Sequence, residues 1–173
     1  MDFSDAYVAL ICEGGAERKI CEILLDNDKF VFDYDGLLDG KILRIRSAQA
    51  FEKNYLRKSF EREIVVLRVL DSHQEKFKLS KAYEHKVRVI NVVTAPEIEI
   101  LTIIAECAVN QYRRIKKKPS DFCKENLKLK SVKNPDFVGE YFADVDKLVK
   151  CLIEYKRIAA LKKGEIALAD LLK

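Results

Sequence analysis

The chain has 173 residues, 49% of them apolar and 35% charged, with a formal net charge of +4, a balance that excludes a disordered or fibrous chain. No apolar run approaches the roughly 20 residues of a membrane-spanning helix, and Met1-Asp2-Phe3-Ser4-Asp5 lacks the basic start and apolar core of a secretory signal. The five cysteines form neither a CxxC pair nor a metal-ligand spacing, so the chain is expected to be cytoplasmic, away from membranes, with reduced and mostly buried thiols.

Ala6-Tyr-Val-Ala-Leu-Ile-Cys12 is a continuous apolar run of the kind that marks a strand buried on both faces of a parallel sheet. It stops at Glu13-Gly14-Gly15, and residues 16–25 then space Ile20, Ile23 and Leu24 as a helix. Residues 41–45 suit a short strand, and Ser47 suits the N-cap of a helix reaching about residue 60. Residues 63–70 form the second strong strand, which stops at Asp71-Ser72-His73, with a helix expected over 74–85. Residues 86–93 form the third, closed by Thr94-Ala95-Pro96, and Pro96 at a first helical position opens an apolar helix over 97–108.

This alternation predicts an α/β fold, a mostly parallel Rossmann-like sheet flanked by helices. Past residue 110 no strong strand is apparent; helices are expected over 116–126, 135–142 and 144–161, with a final amphipathic turn or helix over 164–173. The charge is uneven. Residues 1–110 hold 16 Lys and Arg against 19 Asp and Glu, whereas residues 111–163 hold 15 against 7. An acidic half joined to a basic half suits a metal site beside a polyanion-binding surface, and equally a set of lysine-rich solvated helices.

The chemistry-bearing residues stand at the strand ends. Glu13 closes the first strand, Asp71 the second, and Glu97 and Glu99 follow the third. In open parallel sheets the carboxyl ends of the strands share one edge, so these acids should converge. Crowded carboxylates repel unless protons or a cation neutralise them, and their oxygens favour hard cations such as Mg²⁺. Glu17 lies one helical turn beyond Glu13 and could reach the same ion; as a first-turn acid it also suits the helix dipole. Asp71 reads equally as an N-cap, and His73 as a surface residue, a general acid or a ligand. Neither GxGxxG nor GxxxxGK[ST] is present, and no aromatic-interleaved platform for base stacking is evident.

Three segments carry a family resemblance: Cys12-Glu13-Gly14-Gly15-Ala16-Glu17, Leu67-Arg68-Val69-Leu70-Asp71-Ser72-His73, and the stretch from Asn91 through Pro96 and Glu99 to Leu101. They resemble the strand-EGxTE, strand-DxD and NPxFExW segments of the Toprim (topoisomerase–primase) superfamily, within it the RloB-like and OLD-like nucleases of phage defence. His73 stands where the second aspartate of DxD would be, Ala16 where Thr is usual, Ala95 for Asn and Leu101 for Trp.

The likeness spans about residues 6–105 and implies a Toprim-like catalytic domain over 1–110; the basic helical extension over 111–173, expected to pack on the same domain, has no counterpart in the family. It implies Mg²⁺ (or Mn²⁺) at Glu13, Glu17, Asp71, Glu99 and His73, with Glu13, Asp71 and Glu99 carrying catalysis. The implied activity is hydrolysis of DNA or RNA phosphodiesters by a toxin or effector of antiviral defence. Arg18, Lys19, Arg113, Arg114, Lys116, Lys117 and Lys118 are candidates to hold the nucleic-acid backbone. No Walker motif is present, so an ATPase partner would be supplied on another chain or fused, and residues 166–172 are a candidate docking or homo-oligomer element, or else pack on their own domain. The alternative is a Toprim-like binding or regulatory subunit without catalysis, which His73 in place of an acid favours.

Overall fold

The two most apolar runs lie side by side as parallel strands β1 (Ala6–Cys12) and β2 (Glu63–Leu70) in the computed structural model, which describes residues 1–73 and 77–173. β3 (Val87–Val93) continues the sheet beyond β2, also parallel. The fourth strand is β4 (Glu165–Ile166), two residues parallel to Asn91 and Val92 of β3, so the order is β1-β2-β3-β4. No strand was expected so far along the chain, and β4 corrects that expectation.

The outer edge of β1 is also occupied. Val8 bridges Leu37 and Ile11 bridges Leu43, both parallel, through Val8 N–H to the Gly36 carbonyl (2.9 Å) and Leu43 N–H to the Leu10 carbonyl (2.8 Å). Residues 41–45 therefore contribute one bridge instead of the expected strand. After β1 the chain passes through α1 (Gly15–Asp26) to this edge, then returns through α2 (Ala48–Phe51) to β2 on the other side. The winding direction reverses at β1, the position where open α/β sheets leave a crevice at the strands' carboxyl ends.

Both faces of β1 and β2 are covered, which is why these two strands read as long apolar runs, whereas β3 and β4 are partly open. Val8, Leu10 and Cys12 point into a core shared with α1, α3 (Ile100–Ala105), α5 (Pro119–Glu125), α6 (Pro135–Tyr141) and α7 (Val145–Ile158). Ala9 and Ile11 point into a second core with Leu43, Ala48, Phe51 and Leu56. The short helix α4 (Val109–Arg113) links α3 to the basic segment. Residues 111–173 thus share the main core with the first three strands.

Ser47 caps α2 as expected, its side chain accepting the Ala50 N–H, but the helix then widens into a π turn over Glu52–Leu56. The helix expected over 74–85 lies partly outside the described residues; residues 77–80 have no regular structure and 81–86 form turns, without a helix. The helix expected over 97–108 is confined to α3. Glu97, Ile98 and Glu99 form tight i to i+3 turns, because the Glu97 carboxylate is drawn outward to Ser120 and Lys133. At the other end Cys107 takes φ 54°, and its N–H and that of Ala108 close back on Ile104 and Ile103, a Schellman stop.

Candidate functional site

β1 delivers Glu13 to the carboxyl rim of the sheet, and Gly14 caps α1. Glu17, in the first turn of α1, folds its carboxylate back over Gly14, where a Cβ would overlap it. The absence of a side chain at Gly14 therefore sets where Glu17 can place its charge. Gly15 serves packing: a Cβ there would come within 2.9 Å of Pro135 Cγ at the start of α6.

Glu13, Glu17 and Asp71 line one cleft of about 220 Å³, with Gly14, Arg46, Val69 and Leu70. Burial raises the Glu17 pKa and the Asp71 charge adds to it, while its own backbone N–H and Lys133 act in the opposite direction. This is the signature of carboxylates brought together in partly desolvated surroundings. An adjoining recess of about 240 Å³ is lined by Glu13, Gly15, Arg44 and Arg46.

Glu13 is held from below. Arg68 of β2 is 1% exposed, reaches Glu13 Oε1 at 3.5 Å, and lies 4.8 Å from the centroid of the Phe77 ring. A buried guanidinium of this kind fixes a carboxylate more firmly than a surface ion pair does.

Glu99 stands behind the cleft, outside its lining, at the N-cap of α3 and 5% exposed. Burial pushes its pKa up to about 7; its own N–H and Lys133 lower it, Glu97 and Glu17 raise it. Burial alone would also raise Glu97. The Lys133 ammonium at 2.8 Å and the Ser120 N–H at 2.9 Å outweigh burial and hold Glu97 below the usual carboxylate range.

His73 turns toward the opposite side of the rim. Its Nδ1 lies 2.8 and 3.0 Å from the Glu165 carboxylate oxygens, at the start of β4, and Glu165 also accepts the Lys162 N–H at 2.8 Å. Burial opposes ionisation of Glu165, but the Lys162 N–H and His73 overcome it and lower its pKa.

The candidate nucleic-acid contacts divide. Arg113, Lys116, Lys117 and Lys118 border an open hollow of about 510 Å³ with Pro96, Tyr112 and Ile115, beside the loop that ends β3. Arg114 is exposed next to them. Arg18 pairs with Glu22 at 2.7 Å along α1, and the Lys19 stem packs against Gly139 of α6, so neither lines the acidic cleft.

Sequence reasoning missed Arg44, Arg46, Arg68, Lys133 and Glu165. Arg44-Ile45-Arg46 carried a usable signal, since alternation about a buried Ile45 throws both arginines to one side. The other three gave none, because their partners lie 55, 36 and 92 residues away.

Mg²⁺ keeps several waters and needs only one or two protein carboxylates, which the crowded pair of Glu17 and Asp71 beside Glu13 supplies. Among the described residues no three His, Cys, Asp or Glu side chains are spaced to hold a metal together. Among the described residues no helix is long and apolar enough to cross a membrane. Comparison with protein-family models, with curated proteins and with solved structures found no match to this chain.

Proposed function

We propose that the protein is a Toprim-like nuclease that hydrolyses nucleic-acid phosphodiesters with Mg²⁺ or Mn²⁺, acting as an effector of antiviral defence together with an ATPase partner. The observation that carries this reading is the cleft in which Glu13, Glu17 and Asp71 arrive from the end of β1, the first turn of α1 and the end of β2, with burial first and the Asp71 charge second raising the Glu17 pKa. A bound divalent cation supplies neutralisation of phosphate charge and a more acidic water.

The residues of the chain do the rest. Glu17 and Asp71 would hold the cation through oxygen, and Glu13, fixed by Arg68, would accept the proton of the attacking water as the P–O bond to the departing sugar oxygen breaks and that oxygen takes a proton from solvent. Arg44 and Arg46 face the same recess and offset the charge of a phosphate entering it. The cations at 113 and 116–118 hold the strand's backbone near the end of β3, without reading sequence.

Cleavage of labelled DNA and RNA with Mg²⁺ or Mn²⁺ tests the reading, with Glu13→Gln and Asp71→Asn as variants. Glu13→Gln leaves Arg68 an acceptor, so a loss of activity reports chemistry rather than collapse. Each variant is expected to lose about 100-fold or more. No cleavage at any metal concentration, alone or with a candidate ATPase, would overturn the reading. A second reading, a Toprim-like binding subunit without catalysis, draws on His73, whose Nδ1 is taken up by Glu165. Nucleic-acid binding without cleavage in the same assay favours it.

A further inference from the structure

At the opposite, amino-terminal edge of the sheet, a groove of about 340 Å³ opens between the end of the π turn, the start of β2 and the turn before β3. Its lining includes Lys58, Phe60, Arg62, Tyr83 and Lys86. These come from two segments more than twenty residues apart, so no local pattern reveals them. Among the described residues no acidic side chain lines the groove, and none of the three cations is engaged in an ion pair.

The aromatic groups are arranged rather than scattered. Phe60 and Tyr83 line the groove half-buried, packed against the second core. Phe60 meets Tyr7 edge-on at 6.2 Å, and the Arg62 guanidinium lies 5.4 Å from the Tyr7 ring centroid. Tyr83 is held by a turn in which its N–H bonds the Ser80 carbonyl at 2.9 Å and its own carbonyl accepts the Lys86 N–H at 2.9 Å. Fixed aromatic faces beside unneutralised cations match a nucleotide on both counts: a base stacks on the rings, and a phosphate meets Lys and Arg. The volume lies at the lower end of small-ligand pockets, roughly 300–1,000 Å³.

We infer that this groove binds a nucleotide unit, its base against Tyr83 and Phe60 and its phosphate on Lys58, Arg62 and Lys86. The groove lies a strand's length from the acidic cleft, about 25 Å at ~3.3 Å per residue. It goes beyond the proposed cleavage and does not require it.

Two sources share this chemistry, a free nucleotide and a single strand, and fluorescence anisotropy separates them. A labelled single strand of about 12 nucleotides and a fluorescent nucleoside monophosphate are each titrated with protein in EDTA, which removes any divalent cation from the acidic cleft. Tyr83→Ala is expected to weaken binding by about 5- to 150-fold, the range for removing one base stack, whereas Tyr83→Phe retains it. The paired reversals Lys58→Glu and Lys86→Glu are expected to weaken strand binding at least about tenfold and to lower the salt slope by about two ions.

Both lysines are exposed, so the reversals test the groove even if Tyr83→Ala fails to fold, and a melting curve checks each variant. Strand binding with these losses supports a nucleic-acid ligand, and monophosphate binding with the same losses supports a free nucleotide. Wild-type affinity in the folded reversals, or no binding of either probe by the wild type, overturns the inference. Groove binding is read in EDTA and cleavage only with Mg²⁺ or Mn²⁺, so failure of the groove and failure of the cleavage reading give different results.

Discussion

Glu17 reaches the cleft because Gly14 has no side chain. A methyl group at Gly14 would force the carboxylate to swing away while leaving the start of α1 intact. Gly14→Ala is therefore expected to lower divalent-cation affinity at least about tenfold while costing about 1 kcal/mol or less in stability, the scale of an N-cap change. Manganese titration followed by electron paramagnetic resonance, with a denaturation curve alongside, measures both.

Glu99 gives a pH dependence with a definite sign. Its pKa rises from 4.5 to about 7 on folding, burial being the main cause, so between those values the folded chain holds the extra proton. That contribution is fully present below pH 4.5 and is lost as pH rises through about 7. The loss is about 3 kcal/mol in EDTA. In Glu99→Gln the difference between urea-denaturation free energies at the two ends of this window should shrink by about that amount.

At the scale of elements, α7 reaches across to the loop after β3. The Tyr155 hydroxyl accepts the Ala95 N–H at 2.8 Å and donates to the Ala95 carbonyl at 3.2 Å. Tyr155→Phe leaves both backbone groups without that partner, and a loss of about 1–3 kcal/mol is expected in chemical denaturation.

The strands β1 and β2 were legible because strands buried on both faces show as long apolar runs, and β3, broken by Arg88 and Asn91, because its remaining residues are Val and Ile. β4 was not, since two residues beginning with a glutamate carry no hydrophobic pattern. The helix at 97–108 was overextended because its apolar spacing is sound, whereas its limits are imposed by the distant Ser120 and Lys133 and by the turn at Cys107. Local sequence records which face is buried, not where tertiary bonds end an element. Likewise the acids of the cleft were readable from their place after strands. The residues that restrain them, Arg68 under Glu13 and Lys133 beside Glu97, were hidden by separation in the chain.

For the molecule as a whole, the sheet and the main core close only with the last segment. Ala167, Leu168 and Leu171 are each 0% exposed, and β4 covers the edge of β3. Removing residues 160–173 is expected to abolish cooperative unfolding and expose an edge prone to pairing with other chains. Loss of the calorimetric transition, with aggregation, is the result to look for.

The same dependence bears on synthesis. A ribosome that has extruded the first 150 residues presents Glu13, Glu17, Asp71 and Glu99 in order, yet His73 still lacks its Glu165 partner and β3 its outer neighbour. The rim is completed only once Glu165, 92 residues beyond His73, has also emerged, so its assembly lags the synthesis of the acids themselves.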